Sequence, residues 1–269
     1  MIDLAVIGAV NWDVNLFVEE FAEVGGEVPV TKVSEVPGGK GANVAVAAAR
    51  ILGSGRVSIM GGLGLDDVAE RQIDILTGEG VDTSMLKRVE GVKSGRAYII
   101  IDSSGRKMIH TLFGANQHLL AEDILTPRYG GLIRQTRIIV VIDPVKETVL
   151  QVAKKGREAG RTVLFAPGVR CAEGLEELAD PIRNADYLVG NRVELECLVG
   201  SKDLESVRSS LLKINPRLKI IATLGADGSS LLDRDGRADI PRVNLSIFGL
   251  KIVNTTGCGD AFLGAFCAS

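Results

Sequence analysis

Apolar runs of strand length recur along the chain at Leu4 to Val10, Val57 to Met60, Ile138 to Ile142, Thr162 to Ala166, Tyr187 to Val189 and Lys219 to Thr223. Between them lie stretches with helical length and periodicity: Ala42 to Leu52, Asp66 to Thr77, Val145 to Ala159 and Leu204 to Ile214. Strand and helix in alternation predict a mostly parallel sheet with crossover helices, an α/β class. Two regions break the rhythm, Val14 to Val36 and Gly95 to Leu112. In the second, Ala97 to Ile101 and Met108 to Leu112 flank the turn Asp102-Ser103-Ser104-Gly105 and read as a hairpin. Because the hairpin interrupts the series rather than ending it, both regions are expected to form a small β lid over one edge of the main sheet. No repeat or long linker divides the chain, so residues 1–269 are expected to form one α/β domain carrying that lid.

Charge narrows the partners. The 31 basic and 34 acidic residues give a formal net charge of -3 and leave no basic stripe to neutralise a phosphate backbone, so nucleic acid is not an expected partner. The apolar runs fall well short of the ~20 residues that cross a bilayer, so no membrane span is expected. The N-terminus enters a strand-like run at once, without the pattern of a secretory signal, which points to the cytoplasm. The four cysteines, Cys171, Cys197, Cys258 and Cys267, lack paired metal-site spacing and are read as thiols.

The chemistry is carried by glycine turns at element ends. No Gly-x4-Gly-Lys-Ser/Thr is present, and no Gly-x-Gly-x-x-Gly follows a strand, which removes the P-loop and dinucleotide-binding readings. What remains is Asn254 to Phe262, a glycine turn opening an apolar helix. Amides around Gly257, Cys258 and Gly259 would meet an anion there. Asp260 beside them would accept the proton of an attacking hydroxyl, or would only complement the helix dipole. Pro37 to Asn43 leads into the alanine-rich helix, with Gly39 and Gly41 freeing the backbone and Lys40 and Asn43 offering donors; a plain turn with a solvated lysine is the other reading. Asn11 and Asp13 follow the first strand, where open α/β sheets bind ligands, or form an ordinary turn. Asn191 and Glu194 are spaced either to organise magnesium-bound water and phosphate or to form a capping box. Thr223, Gly225 and Gly228 lie on a strand-to-turn junction that seats a nucleotide or merely joins two strands. His110 and His118 belong to no catalytic pattern, and Trp12 is read as packing.

Taken in order, Gly8-x-x-Asn11-x-Asp13, Pro37 to Asn43, Gly61-x-Leu63-Gly64 with Asp66, Gly114-Ala115-Asn116, Asn191-x-x-Glu194, Thr223 to Gly228 and Thr255 to Asp260 resemble the PfkB family of carbohydrate kinases, in its ribokinase-like branch. The resemblance covers nearly the whole chain and implies a three-layer ribokinase-like fold whose β lid often serves as a homodimer interface. It implies ATP as donor with Mg2+, and a sugar or nucleoside as acceptor. By the same resemblance Asn11, Asp13, Gly39, Lys40, Gly41, Asn43 and Asp143 hold the substrate. Asn191 and Glu194 serve the magnesium-phosphate region, Glu194 through water; Thr223, Gly225 and Gly228 serve the nucleotide; Gly257, Cys258 and Gly259 form the anion hole; and Asp260 is the base. Three departures stand out. Asn254 replaces the family's Asp near a monovalent-cation site, so a potassium requirement is not expected. Asp143 replaces a Glu and reaches about one methylene less. The sequence given ends at Ser269, where the family continues with a part that completes the adenine pocket. The expected activity is ATP-dependent phosphorylation of a small, ribose-like sugar. A nucleoside kinase and a catalytically idle sugar-binding protein are the alternatives.

Overall fold

The computed structural model describes residues 2–143, 145–252 and 255–269. In chain order the strands are β1 (Leu4–Gly8), β2 (Asn11–Phe17), β3 (Lys32–Gly38), β4 (Val57–Met60), β5 (Gly62–Leu63), β6 (Val81–Asp82), β7 (Lys87–Arg88), β8 (Gly95–Ile101), β9 (Lys107–Leu112), β10 (Ile138–Ile142), β11 (Thr162–Ala166), β12 (Tyr187–Asn191), β13 (Lys219–Thr223), β14 (Ser229–Asp233) and β15 (Gly236–Ile240). Nine of them form one sheet in the order β15-β14-β13-β12-β11-β10-β1-β4-β6. It is parallel from β6 to β13 and finishes with two antiparallel strands.

The central strands are apolar at nearly every position because both faces are covered. Ala5, Ile7, Ile139, Val141, Phe165 and Leu188 pack on one side with the helices Lys146–Glu158, Arg192–Val199 and Leu204–Ile214. Leu4, Val6, Val140, Ile142 and Leu164 pack on the other with α1 (Lys40–Leu52), α2 (Asp67–Gly78) and the helix Cys258–Ala268. No helix among the described residues is long and apolar enough to cross a membrane.

A second sheet, ordered β3-β2-β8-β9, forms the lid. It begins at Asn11, three residues before the break in pattern at Val14, because the chain leaves β1 at Gly8 and enters β2 almost at once. Buried Asn116 holds that crossing: its Oδ1 accepts from the Val10 amide at 2.8 Å, and its Nδ2 donates to the Val10 carbonyl at 3.1 Å and to Asn11 Oδ1 at 2.8 Å. Asp66 caps α2 and accepts from the amide and hydroxyl of Ser94, which tethers the start of β8. Trp12 is buried beside Val14 and Val68 and donates to Glu35, a packing role as read from the sequence.

The Cys258–Ala268 helix lies against α1 so closely that a Cβ on Gly264 would stand 2.7 Å from the Ala47 Cβ and from the Val44 carbonyl oxygen. The run of alanines in α1 makes that approach possible. Gly264→Val is therefore expected to destabilise the fold by about 1–3 kcal/mol through overpacking, read as a lowered melting temperature, and to move the start of the helix away from α1.

Candidate active site

The carboxyl ends of the parallel strands converge on one cavity of about 620 Å³. Asp143 follows β10, Gly168 and Val169 follow β11, Asn191 ends β12, and Thr223 ends β13. Asn11 and Asp13 enter from β2, Lys40 and Asn43 from the first turn of α1, and Gly257, Gly259 and Asp260 from the opposite helix start. Ala97, Ile99, Ile109 and Thr111 of the lid form the roof. A more open groove of about 730 Å³ runs between the helices Lys146–Glu158 and Ala179–Arg183, on the helical layer rather than at the strand ends.

The glycines of Pro37 to Asn43 permit close packing more than they bare amides. A Cβ on Gly38 would sit 2.3 Å from the Asp13 carboxyl carbon, so the carboxylate lies directly on that glycine. Gly39 has φ of 95°, and a side chain there would strike the Ala9 carbonyl at 2.5 Å. Gly41 is buried against Gly8 and does not line the cavity, so its part is to bring α1 up to β1.

Lys40 is not a solvated lysine. Its ammonium lies 3.2 Å from Asp143 Oδ2 and 3.6 Å from Glu194 Oε1, joining the carboxylate after β10 to the one in the helix after β12. Burial opposes its charge, but Asp143, Glu194 and Asp260 prevail and raise its pKa. Asp143 adopts φ of 58°, a strained conformation for a non-glycine residue. Its Oδ1 accepts from the Val169 amide at 3.0 Å and would collide with any Cβ on Gly168.

Asp260 stands in the first turn of its helix, half-buried, and accepts a 2.8 Å hydrogen bond from Asn43 Nδ2. Burial pushes its pKa up, Asn43 and Lys40 pull it down, and Asp143 and Glu194 add to the rise, leaving it above the usual carboxylate value. Asp13 is raised to about 6 by burial and by the negative charge of Asp260. Dipole complementarity alone does not account for a carboxylate facing a cavity beside a second carboxylate.

Of the two readings of Asn191 and Glu194, the capping box is the one seen directly. They form a reciprocal capping box, with bonds of 2.9 and 3.0 Å, and both line the cavity. Thr223 lines the cavity as well, whereas Gly225 and Gly228 shape the turn behind it. Gly228 has φ of 93° and lies against the Ile240 carbonyl and the Arg242 amide. The Cys258 amide already donates to the Thr255 carbonyl, so the first-turn amides that face the cavity are those around Gly259 and Asp260. Asn254 lies outside the described residues.

Sequence reasoning passed over Gly168 and Val169, although Ala166-Pro167-Gly168 has the strand-then-turn pattern used elsewhere. It also passed over the roof residues, which the alternation of β8 and β9 places on one face.

The model of the pfkB family carbohydrate kinases matches residues 1–269. The chain belongs to that family. This pfkB kinase is 31% identical to a deoxyribokinase of Salmonella typhi, over 98% of the chain and 84% of that protein. It is 30% identical to a ribokinase of Schizosaccharomyces pombe, over 99% of the chain and 84% of that protein. The crystal structure of a ribokinase from Thermotoga maritima superposes with a TM-score of 0.85 at 28% identity, covering all of this chain and 85% of that one. Phosphoryl transfer to a hydroxyl acceptor is thus the chemistry of the chain's family.

Proposed function

We propose that the protein is an ATP-dependent kinase that transfers the γ-phosphate to a hydroxyl of a small, ribose-class sugar, with Asp260 as general base. The observation that carries this reading is the position of Asp260: half-buried, hydrogen-bonded by Asn43, and beside both the glycine turn and the sugar-side carboxylate Asp13. Asp13 accepts from two substrate hydroxyls; Asn11, Asn43 and Lys40 bind others; and Asp143, held by Val169, closes the far side. The reacting hydroxyl lies against Asp260 and gives up its proton late, as its oxygen bonds to phosphorus and the ADP oxygen leaves. The amides around Gly259 and Asp260 meet the charge on the transferring group.

Asn191, Glu194 and Thr223 face the donor side of the same cavity. Their hard oxygen donors suit magnesium. The ion would be held by phosphate and water, with Glu194 in indirect contact. When bound, the ion screens the phosphate charge and polarises the transferred group. The exposed apolar residues Val33, Tyr98, Met108 and Leu112, on the face of the lid turned from the cavity, support a homodimer through that sheet. Four free cysteines fit a reducing, cytoplasmic setting.

ADP release with magnesium-ATP, measured across ribose, deoxyribose, fructose and nucleosides, tests the assignment. Turnover with a pentose is the expected result, and silence with every acceptor refutes it. The pKa of Asp13 adds a pH signature. The carboxylate accepts hydroxyls only when ionised, so sugar KM is expected to be flat above about pH 7 and to rise as pH falls through 6, by about tenfold per unit at the steepest. Asp13→Asn is expected to abolish that rise while weakening binding at every pH.

A further inference from the structure

The cavity presents an electrostatic problem to a polyanionic donor. Among the described residues four carboxylates line it, Asp13, Asp143, Glu194 and Asp260, and the one cation in the lining, Lys40, is paired with two of them. A bound magnesium ion supplies part of the positive charge for the phosphoryl end, and any further cation has to come from outside the lining.

The lid holds such a charge. Lys107 opens β9, two residues before Ile109 and four before Thr111, both of which roof the cavity. Its ammonium donates a 2.6 Å hydrogen bond to Thr256 Oγ1, beside Gly257 in the glycine turn. All six residues of β9 are exposed, and among the described residues this is the one side-chain hydrogen bond from β9 to the α/β body. Lys107 also makes no ion pair among the described residues, so its charge is not spent on a carboxylate.

We propose that Lys107 is a positioning residue for phosphoryl transfer: it docks the lid on the glycine turn and lends that turn the positive charge its acidic surroundings lack. The inference rests on the kinase reading above. It makes lid closure respond to the phosphate end of the nucleotide as well as to the sugar. An ammonium held at a threonine hydroxyl three residues before Gly259, at the start of the helix, strengthens the field there without entering the sugar subsite. Because Lys107 is exposed, the expected effect is that of one charge-assisted hydrogen bond in partial contact with solvent, about tenfold.

The test combines kinetics with hydrogen exchange. Lys107→Ala is expected to raise the KM for ATP about tenfold while the KM for sugar stays within about twofold, and Lys107→Arg to recover most of the loss. A non-hydrolysable ATP analogue, added without sugar, is expected to slow exchange of the amides in residues 95–112 of the parent chain, and Lys107→Ala to remove that protection. An unchanged KM for ATP in Lys107→Ala, equal losses for both substrates, or protection that survives the substitution overturns the proposal and leaves the kinase reading standing. Absence of ADP formation in the parent chain with every acceptor overturns both.

Discussion

Asp260→Asn is expected to lower kcat by about 10³-fold with little change in sugar or nucleotide binding. The substitution is isosteric, and the amide oxygen can still accept the hydrogen bond from Asn43 that holds the position at 2.8 Å. What is lost is a group able to take the hydroxyl proton, an effect of about 10²–10⁴ for general bases. Sugar affinity by calorimetry and turnover by ADP release separate the two effects. A second signature follows from the neighbouring carboxylate. The charge of Asp260 helps raise Asp13, so in the variant the pH at which sugar binding weakens is expected to move below about 6. A variant that keeps parental kcat leaves Asp260 with only its structural part, as a charge at the start of a helix.

Lys40→Met carries the other large effect. The lysine sits between Asp143 and Glu194, and its removal leaves two carboxylates facing each other across the site with no cation in the lining. Breaking a fully buried pair costs about 3–5 kcal/mol. Lys40 keeps a third of its side chain in solvent, so we expect the smaller loss of about 100-fold in kcat/KM. Its charge also lowers the pKa of Asp260. Without it Asp260 needs a higher pH to ionise, and the acid limb of the pH-rate profile is expected to shift upward. A fall in activity with that limb unmoved indicates that Lys40 acts through substrate contact alone.

Much of this was legible in the chain because parallel strands buried on both faces leave a strong mark. Val57–Met60, Ile138–Ile142, Thr162–Ala166 and Lys219–Thr223 form strands over the residues their apolar runs predict, and Leu204–Ile214 forms the expected helix. The antiparallel strands β14 and β15 left a weaker trace, since half of β14 faces outward and β15 is mostly exposed. The motif loops come together around one cavity, but the task of every glycine was not readable from them. Gly39, Gly41 and Gly228 each answer to a backbone approach of under 3 Å, a tertiary fact that no local pattern records. The same holds for Lys40, whose two partners lie 103 and 154 residues further along the chain. The capping box of Asn191 and Glu194 was readable by itself; that both residues also line the cavity required the sheet.

Phosphoryl transfer to a sugar hydroxyl with Asp260 as the base is visible by phosphorus NMR of a mixture of the protein, magnesium-ATP and a pentose. The expected result is a phosphate-monoester signal growing in step with ADP, and its absence in Asp260→Asn. ATP consumed to inorganic phosphate without the ester, or an ester formed equally fast by the variant, contradicts it.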